Sequence, residues 1–233
     1  MKLINKFLII MISAAVLSSA SYPCRIVSKI AADDKVVALT FDDGPHPKYT
    51  DEILDILSEY GVKATFFVIG KNVEEHPEII QREVREGHEI GNHTFDHFYM
   101  NSLNESSIAD EIKKCECSVL SAGGPNTKLL RPPGGICSTK LKKQCAAADY
   151  NVVLWSVDTR DWKRPSADHI VNSVLNNVSS GDIILMHDYV SGKSNTPEAL
   201  KRIIPALIDE GYNFVTVSEL INLEKIETEY FSK

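Results

Sequence analysis

The sequence predicts an α/β fold in one domain, seven βα units winding into a closed or nearly closed parallel barrel. Three observations predict it. Short β-branched or aromatic runs alternate with helical patterns from Lys35 onward. No repeat, low-complexity tract or Pro/Ser-rich linker divides the chain. Finally, 233 residues at 43% hydrophobic composition suit a single large core. A doubly wound open sheet is the alternative.

The first strand, Lys35 to Phe41, is strongly apolar, and the helix after it, Tyr49 to Tyr60, stops at Gly61. Strand Lys63 to Ile69 leads to helix Pro77 to Glu86, which has Pro in its first turn and Gly87 after its last. Strand His88 to Asn92 precedes helix Glu105 to Leu120, with Ile108, Ile112, Cys115 and Val119 at helical spacing and Ser102 with Glu105 as a capping box. Strand Lys128 to Arg131 is followed by helix Ser138 to Ala148, and strand Asn151 to Val157 by helix Ala167 to Val178. Strand Asp182 to His187 precedes helix Pro197 to Glu210, capped by Thr196 and Gly211, and Asn213 to Val217 is the seventh strand. Residues 21–34 read as a lead-in, 35–223 as the domain and 224–233 as a tail.

Residues 1–20 read as a signal peptide. Lys2 and Lys6 precede an apolar stretch from Phe7 to Leu17 and the small residues Ser18, Ser19 and Ala20, so export and an extracellular or cell-wall location are expected. That stretch is shorter than the ~20 residues of a spanning helix, and an uncleaved N-terminal anchor is the alternative. Ser21, Tyr22 and Pro23 do not form the small-residue site that lipidation of Cys24 would follow. With 25 Lys plus Arg against 32 Asp plus Glu, a formal charge of −7 and no basic run, nucleic acid is excluded as a partner. An acidic chain also gains no general attraction to anionic wall polymers, so a polymer must be held in a shaped groove. Cys24, Cys115, Cys117, Cys137 and Cys145 contain no CxxC pair and read as ordinary small apolar residues with up to one disulfide among them, the odd number leaving at least one thiol unpaired. A monomer is expected.

The residues able to do chemistry cluster where strands end: Asp42 and Asp43, His93 and His97, Arg131, Asp158 and Asp161, and His187. In a βα barrel all of these open onto the one face where active sites are built. His93 and His97, read as lying on a helical turn, are spaced for both imidazoles to meet one cation. With one aspartate of the adjacent pair they make a three-ligand set of the catalytic zinc type, a set that also suits non-heme iron. The second aspartate is then free as a base, Arg131 near Asp42 would keep it ionised, and His187 with Asp161 nearby suits a general acid. His46 is placed at the edge of the site and His76, His88 and His169 on the surface. Trp155 is assigned to the core, and Trp162 to the core or a groove wall.

Five motifs, TFDDG at Thr40 to Gly44, HTFDH at His93 to His97, RPPGG at Arg131 to Gly135, DTRDW at Asp158 to Trp162 and LMH at Leu185 to His187, resemble those of the polysaccharide deacetylases, carbohydrate esterase family four or the NodB-homology domain. The resemblance runs from about Val36 to Leu220. It implies a distorted (β/α)7 barrel with Asp43, His93 and His97 on the metal, zinc first and cobalt, manganese or nickel as alternatives. It further implies Asp42 as base, His187 as acid, Arg131 and Asp161 orienting them, Gly134 N–H at the oxyanion, and Trp162 and Leu185 around the acetyl methyl. Where the family usually carries a large side chain after the Pro pair, this chain has Gly134, which leaves that groove wall bare. The expected activity is N-deacetylation of a cell-wall polysaccharide, peptidoglycan N-acetylglucosamine first, with chitooligosaccharide or acetylxylan as alternatives. A catalytically dead glycan-binding module and an iron oxygenase are the rivals from other classes.

Overall fold

The computed structural model describes residues 24–223. The expected signal peptide and the expected tail lie outside the described residues. One curled sheet holds β1 (Ile26–Val27), β2 (Val36–Asp42), β3 (Thr65–Val68), β4 (Glu89–Asn92), β5 (Leu129–Leu130), β6 (Asn151–Val153), β7 (Val157–Asp158), β8 (Asp182–His187) and β9 (Asn213–Phe214). The order is β1-β6-β5-β4-β3-β2-β8-β7, with β9 added to the start of β2, and the strand pairs are parallel. From β2 to β6 neighbours follow chain order, β8 and β7 flank β2 on its other side, and β1 edges β6, without the reversal of a doubly wound fold. The result is a single-domain half-barrel of the (β/α)7 type. Helices α1 (Tyr49–Tyr60), α2 (Gly70–Glu75), α3 (Pro77–Arg85), α4 (Glu105–Ser121), α5 (Thr139–Ala147), α6 (Ala167–Leu175) and α7 (Thr196–Asp209) accompany it.

Strand alternation divides the core into an outer and an inner layer. From β2, Val37, Leu39 and Phe41 point outward to Ile53, Leu57, Ile203 and Ile204 of the helices. Val36 and Ala38 point inward to Phe67, Val153, Ile183, Val217 and Leu220. The inward set continues up β2 as Thr40 and Asp42, so the interior changes from apolar at the bottom to polar at the C-terminal ends. Burial of each such Leu, Ile or Phe contributes roughly 1.5–3 kcal/mol.

Several elements differ from expectation, each for a local reason. The strand expected over Asn151–Val157 breaks into β6 and β7 because its first half pairs with β5 and β1 and its second with β8. The segment read as a lead-in supplies β1, and Gly70–Glu75 forms a helix that no apolar repeat announces. Asn104, not Ser102, caps α4 by accepting from Ser107 N at 2.8 Å; Ser102 instead bonds the Tyr99 carbonyl at 2.7 Å. Thr196 is the first residue of α7 rather than its cap. His88 is buried, not on the surface: its Nδ1 accepts from Ala64 N at 3.2 Å, and burial pulls its pKa down to about 4. His76 is half-buried and His169 exposed. All five cysteines are free thiols, and Cys115 and Cys145 are buried.

Candidate active site

Parallel register places the base and acid candidates side by side. Asp42 ends β2 and pairs with His187 at the end of β8, one strand over. On the other side, Asn92 of β4 pairs with Leu130 of β5, which delivers His93 and Arg131 to the same rim. Asp42, Asp43, His93, His97, Gly134, Trp162, Leu185 and His187 all line one cavity of about 330 Å³, together with Tyr99, Trp155 and Asp158. Arg131 and Asp161 stand behind that lining. His46 lines a neighbouring hollow that shares His97.

Asp43, His93 and His97 present one ligand atom each, all within 4.8 Å of one another. Asp43 Oδ1 lies 3.3 Å from His93 Nε2 and 3.2 Å from His97 Nε2. His93 Nδ1 is 2.7 Å from the Arg131 carbonyl, which can only accept, so Nδ1 carries the proton and Nε2 offers a lone pair. That lone pair faces a carboxylate oxygen that is buried and has no hydrogen-bond donor. Acceptors turned toward one another call for a cation between them, and two imidazoles with one carboxylate are a donor set for a divalent ion. Burial alone would raise the pKa of Asp43, but His93 and His97, when protonated, outweigh it and hold the carboxyl well below the usual range, the same positive charge that a cation would bring when the rings are neutral.

The backbone works to aim these ligands. His93 to His97 is an irregular loop, not the helical turn the spacing suggested. Asp43 (φ 78°), Thr94 (φ 71°) and His97 (φ 59°) sit in the left-handed region, which for such residues costs on the order of 1 kcal/mol each. Side chains from other elements hold this strain in place. Asn92 Oδ1 accepts from Thr94 N at 2.8 Å, and Glu111 Oε2 of α4 accepts from Phe95 N and Asp96 N at 3.1 and 2.9 Å. Asn72 Nδ2 of α2 donates to the Asp43 carbonyl at 2.7 Å.

Arg131 is fully buried, with its guanidinium 4.1 Å from the Phe67 ring centroid. Its Nη1 donates to Asp42 Oδ1 at 2.7 Å and Thr40 Oγ1 at 2.8 Å, and Nε and Nη2 donate to the carbonyls of Val153 and Leu154. Asp42, 3% exposed, is thereby held by one oxygen while Oδ2 turns toward the ligand set, 3.8 Å from His93 Nε2. On the opposite rim, His187 Nδ1 meets Asp161 Oδ1 at 2.7 Å. Asp161 Oδ2 accepts from His187 N at 2.8 Å and Thr196 Oγ1 at 2.7 Å, so the residue expected to cap a helix instead holds the carboxylate beside His187. Burial would lower the pKa of His187, but Asp161 and the more distant Asp42 and Asp43 push it up to about 9.

Trp155, assigned to the core, is half-buried and packs against the inner core layer, and its ring also lies against Gly135 and lines the cavity. The sequence reading missed Thr40, Asn72, Glu111, Tyr99 and Thr196. Glu111 carried a signal: it falls on the same helical face as Ile108, Ile112 and Cys115, where an acid needs a partner.

The sequence profile described as polysaccharide deacetylase matches residues 29–153. A peptidoglycan-N-acetylglucosamine deacetylase of Bacillus cereus is 42% identical over 195 residues, covering 83% of this chain and 91% of the relative. A crystal structure of a peptidoglycan N-acetylglucosamine deacetylase bound to a naphthyl-substituted N-hydroxybenzamide superposes with a TM-score of 0.81 at 40% identity, covering 84% of this chain and 92% of that one. A Clostridium thermocellum acetyl xylan esterase, in complex with a cobalt ion, gives a TM-score of 0.77 at 39% identity over 81% and 91% of the two chains.

Proposed function

The chain belongs to the polysaccharide deacetylase family, and we propose that it is a metal-dependent hydrolase removing N-acetyl groups from peptidoglycan N-acetylglucosamine. The observation that carries this reading is the pairing of Asp42 with His187 in register on adjacent strands, at the mouth of the cavity that also holds Asp43, His93 and His97. Binding a glycan needs no buried base, acid and ligand set in one place, and an oxygenase needs neither Asp42 nor His187.

Asp43, His93 and His97 would hold a divalent ion, zinc by preference and cobalt, manganese or nickel otherwise, which supplies Lewis acidity toward an acetyl oxygen and a water. The remaining roles belong to the chain. Asp42, oriented by Arg131, accepts the proton of the attacking water through its free oxygen. The Gly134 N–H donates to the developing oxyanion. His187, kept protonated by Asp161, donates from Nε2 to the departing amine. Leu185 and Trp162 enclose the acetyl methyl.

The pattern of Lys2, Lys6 and the apolar stretch to Leu17 supports export to the wall, where this substrate lies. Among the described residues no helix is long and apolar enough to cross a membrane. A monomer suffices, since one chain supplies all the residues named. Acetate release from peptidoglycan, N-acetylglucosamine oligomers and acetylxylan tests the proposal. Release from peptidoglycan, abolished by chelator and restored by zinc or cobalt, is expected; chelator-resistant release, or none, would overturn it.

A further inference from the structure

Gly134 and Gly135 are both left-handed, at φ 65° and 69°, and each has an aromatic ring laid against its bare α-carbon. A Cβ on Gly135 would meet Trp155 Cη2 at 2.7 Å, and one on Gly134 would meet Tyr99 Cε1 at 2.9 Å. The wall that looks bare in the sequence is therefore occupied by a ring from another loop. Tyr99 lines the catalytic cavity yet remains 57% exposed. Its position is fixed on both sides: His97 of the ligand set lies two residues before it, and Met100, fully buried, follows it. The Tyr99 carbonyl accepts from Ser102 N at 3.1 Å and Ser102 Oγ at 2.7 Å, which pins the main chain beneath the ring.

We propose that Tyr99 is a specificity-determining residue whose ring, seated over Gly134, is the stacking platform for a pyranose of a polymeric substrate. A sugar ring offers an apolar C–H face and a rim of hydroxyls. An anchored phenol ring matches both, and it loses little conformational freedom on binding. The left-handed glycine gives the ring room that a side chain at 134 would not leave. The inference rests on the hydrolase reading above.

The test is acetate release by the metal-loaded enzyme, comparing wild type, Tyr99→Phe and Tyr99→Ala on a tetramer of N-acetylglucosamine and on a small aryl acetate. Tyr99→Ala should raise KM for the tetramer about tenfold with little change in kcat, because a platform binds ground and transition states alike. Tyr99→Phe should stay within about twofold of wild type, since it keeps the ring. The aryl acetate, which presents no sugar face, should lose far less than the tetramer does. An unchanged KM for the tetramer in Tyr99→Ala, or equal losses on both substrates, would overturn the platform. A wild type that releases acetate from neither substrate would instead overturn the hydrolase reading, and the platform with it.

Discussion

Replacing Asp161 with Asn isolates the electrostatic support of the acid. Asp161 is 2% exposed, and both its oxygens are committed, Oδ1 to His187 Nδ1 and Oδ2 to His187 N and Thr196 Oγ1. The amide is nearly isosteric, so packing is kept while the negative charge goes; with its oxygen on His187 Nδ1, its NH2 faces Thr196 Oγ1, a hydroxyl that can turn to accept, and the His187 N–H alone loses its acceptor. The pKa of His187 stands at about 9 against an ordinary 6.5. At ~1.4 kcal/mol per unit, Asp161 and its neighbours together favour the imidazolium by about 3 kcal/mol. The acid works protonated, so activity is lost as pH rises through this pKa, and a lower pKa brings the loss to lower pH. With the charge removed and the pKa back near its ordinary value, turnover should drop about 30-fold near pH 8 and less than about twofold near pH 6. The assay is kcat for acetate release between these limits, with the variant's metal content measured alongside. An alkaline limb at the same pH in wild type and Asp161→Asn would refute the assignment of His187 as the acid that Asp161 supports.

Asp42→Asn should cost about 10²–10⁴ in kcat, the range of a general base, while metal analysis still finds a bound ion. Arg131→Leu should lower stability by roughly 3–5 kcal/mol in urea melts, because it leaves Asp42 buried without its partner, and Arg131→Lys should recover only part of this, since a single ammonium that meets Asp42 and Thr40 cannot also reach the Val153 and Leu154 carbonyls that Nε and Nη2 hold. Glu111→Ala should weaken metal affinity about 10–100-fold by calorimetric titration without unfolding the chain, because it frees the backbone that aims His97.

What the sequence made legible follows from how local each signal is. Apolar runs such as Val36–Phe41 and stops such as Gly61 are written in neighbouring residues, and strand ends follow from them, so Asp42, His93, Arg131 and His187 could be placed on one rim before any coordinates. Arg131 with Asp42 and His187 with Asp161 were expected as partners, but partnerships made by residues outside the motifs were not legible. Thr196 reads as a helix cap because threonine before a proline usually is one, and only the packing of α7 against the segment after β7 brings it to Asp161. His93 to His97 reads as a helical turn because spacing cannot show that Glu111, from the following helix, satisfies amides a helix would have satisfied itself. Trp155 reads as core, which it packs against, but the sequence does not show that the same ring also lines the cavity. Gly134 reads as a missing wall, since Tyr99 reaches it from 35 positions away in the chain.

The central claim is that Asp43, His93 and His97 together hold one divalent ion on which hydrolysis depends. Titration of chelator-stripped protein with zinc, read by calorimetry and by acetate release in the same sample, tests it most directly in wild type and in Asp43→Ala, His93→Ala and His97→Ala. The account predicts one site per chain in wild type, activity rising in step with its occupancy, and loss of both in each variant. Tight zinc binding that survives all three substitutions, or acetate release from the stripped protein, would contradict it.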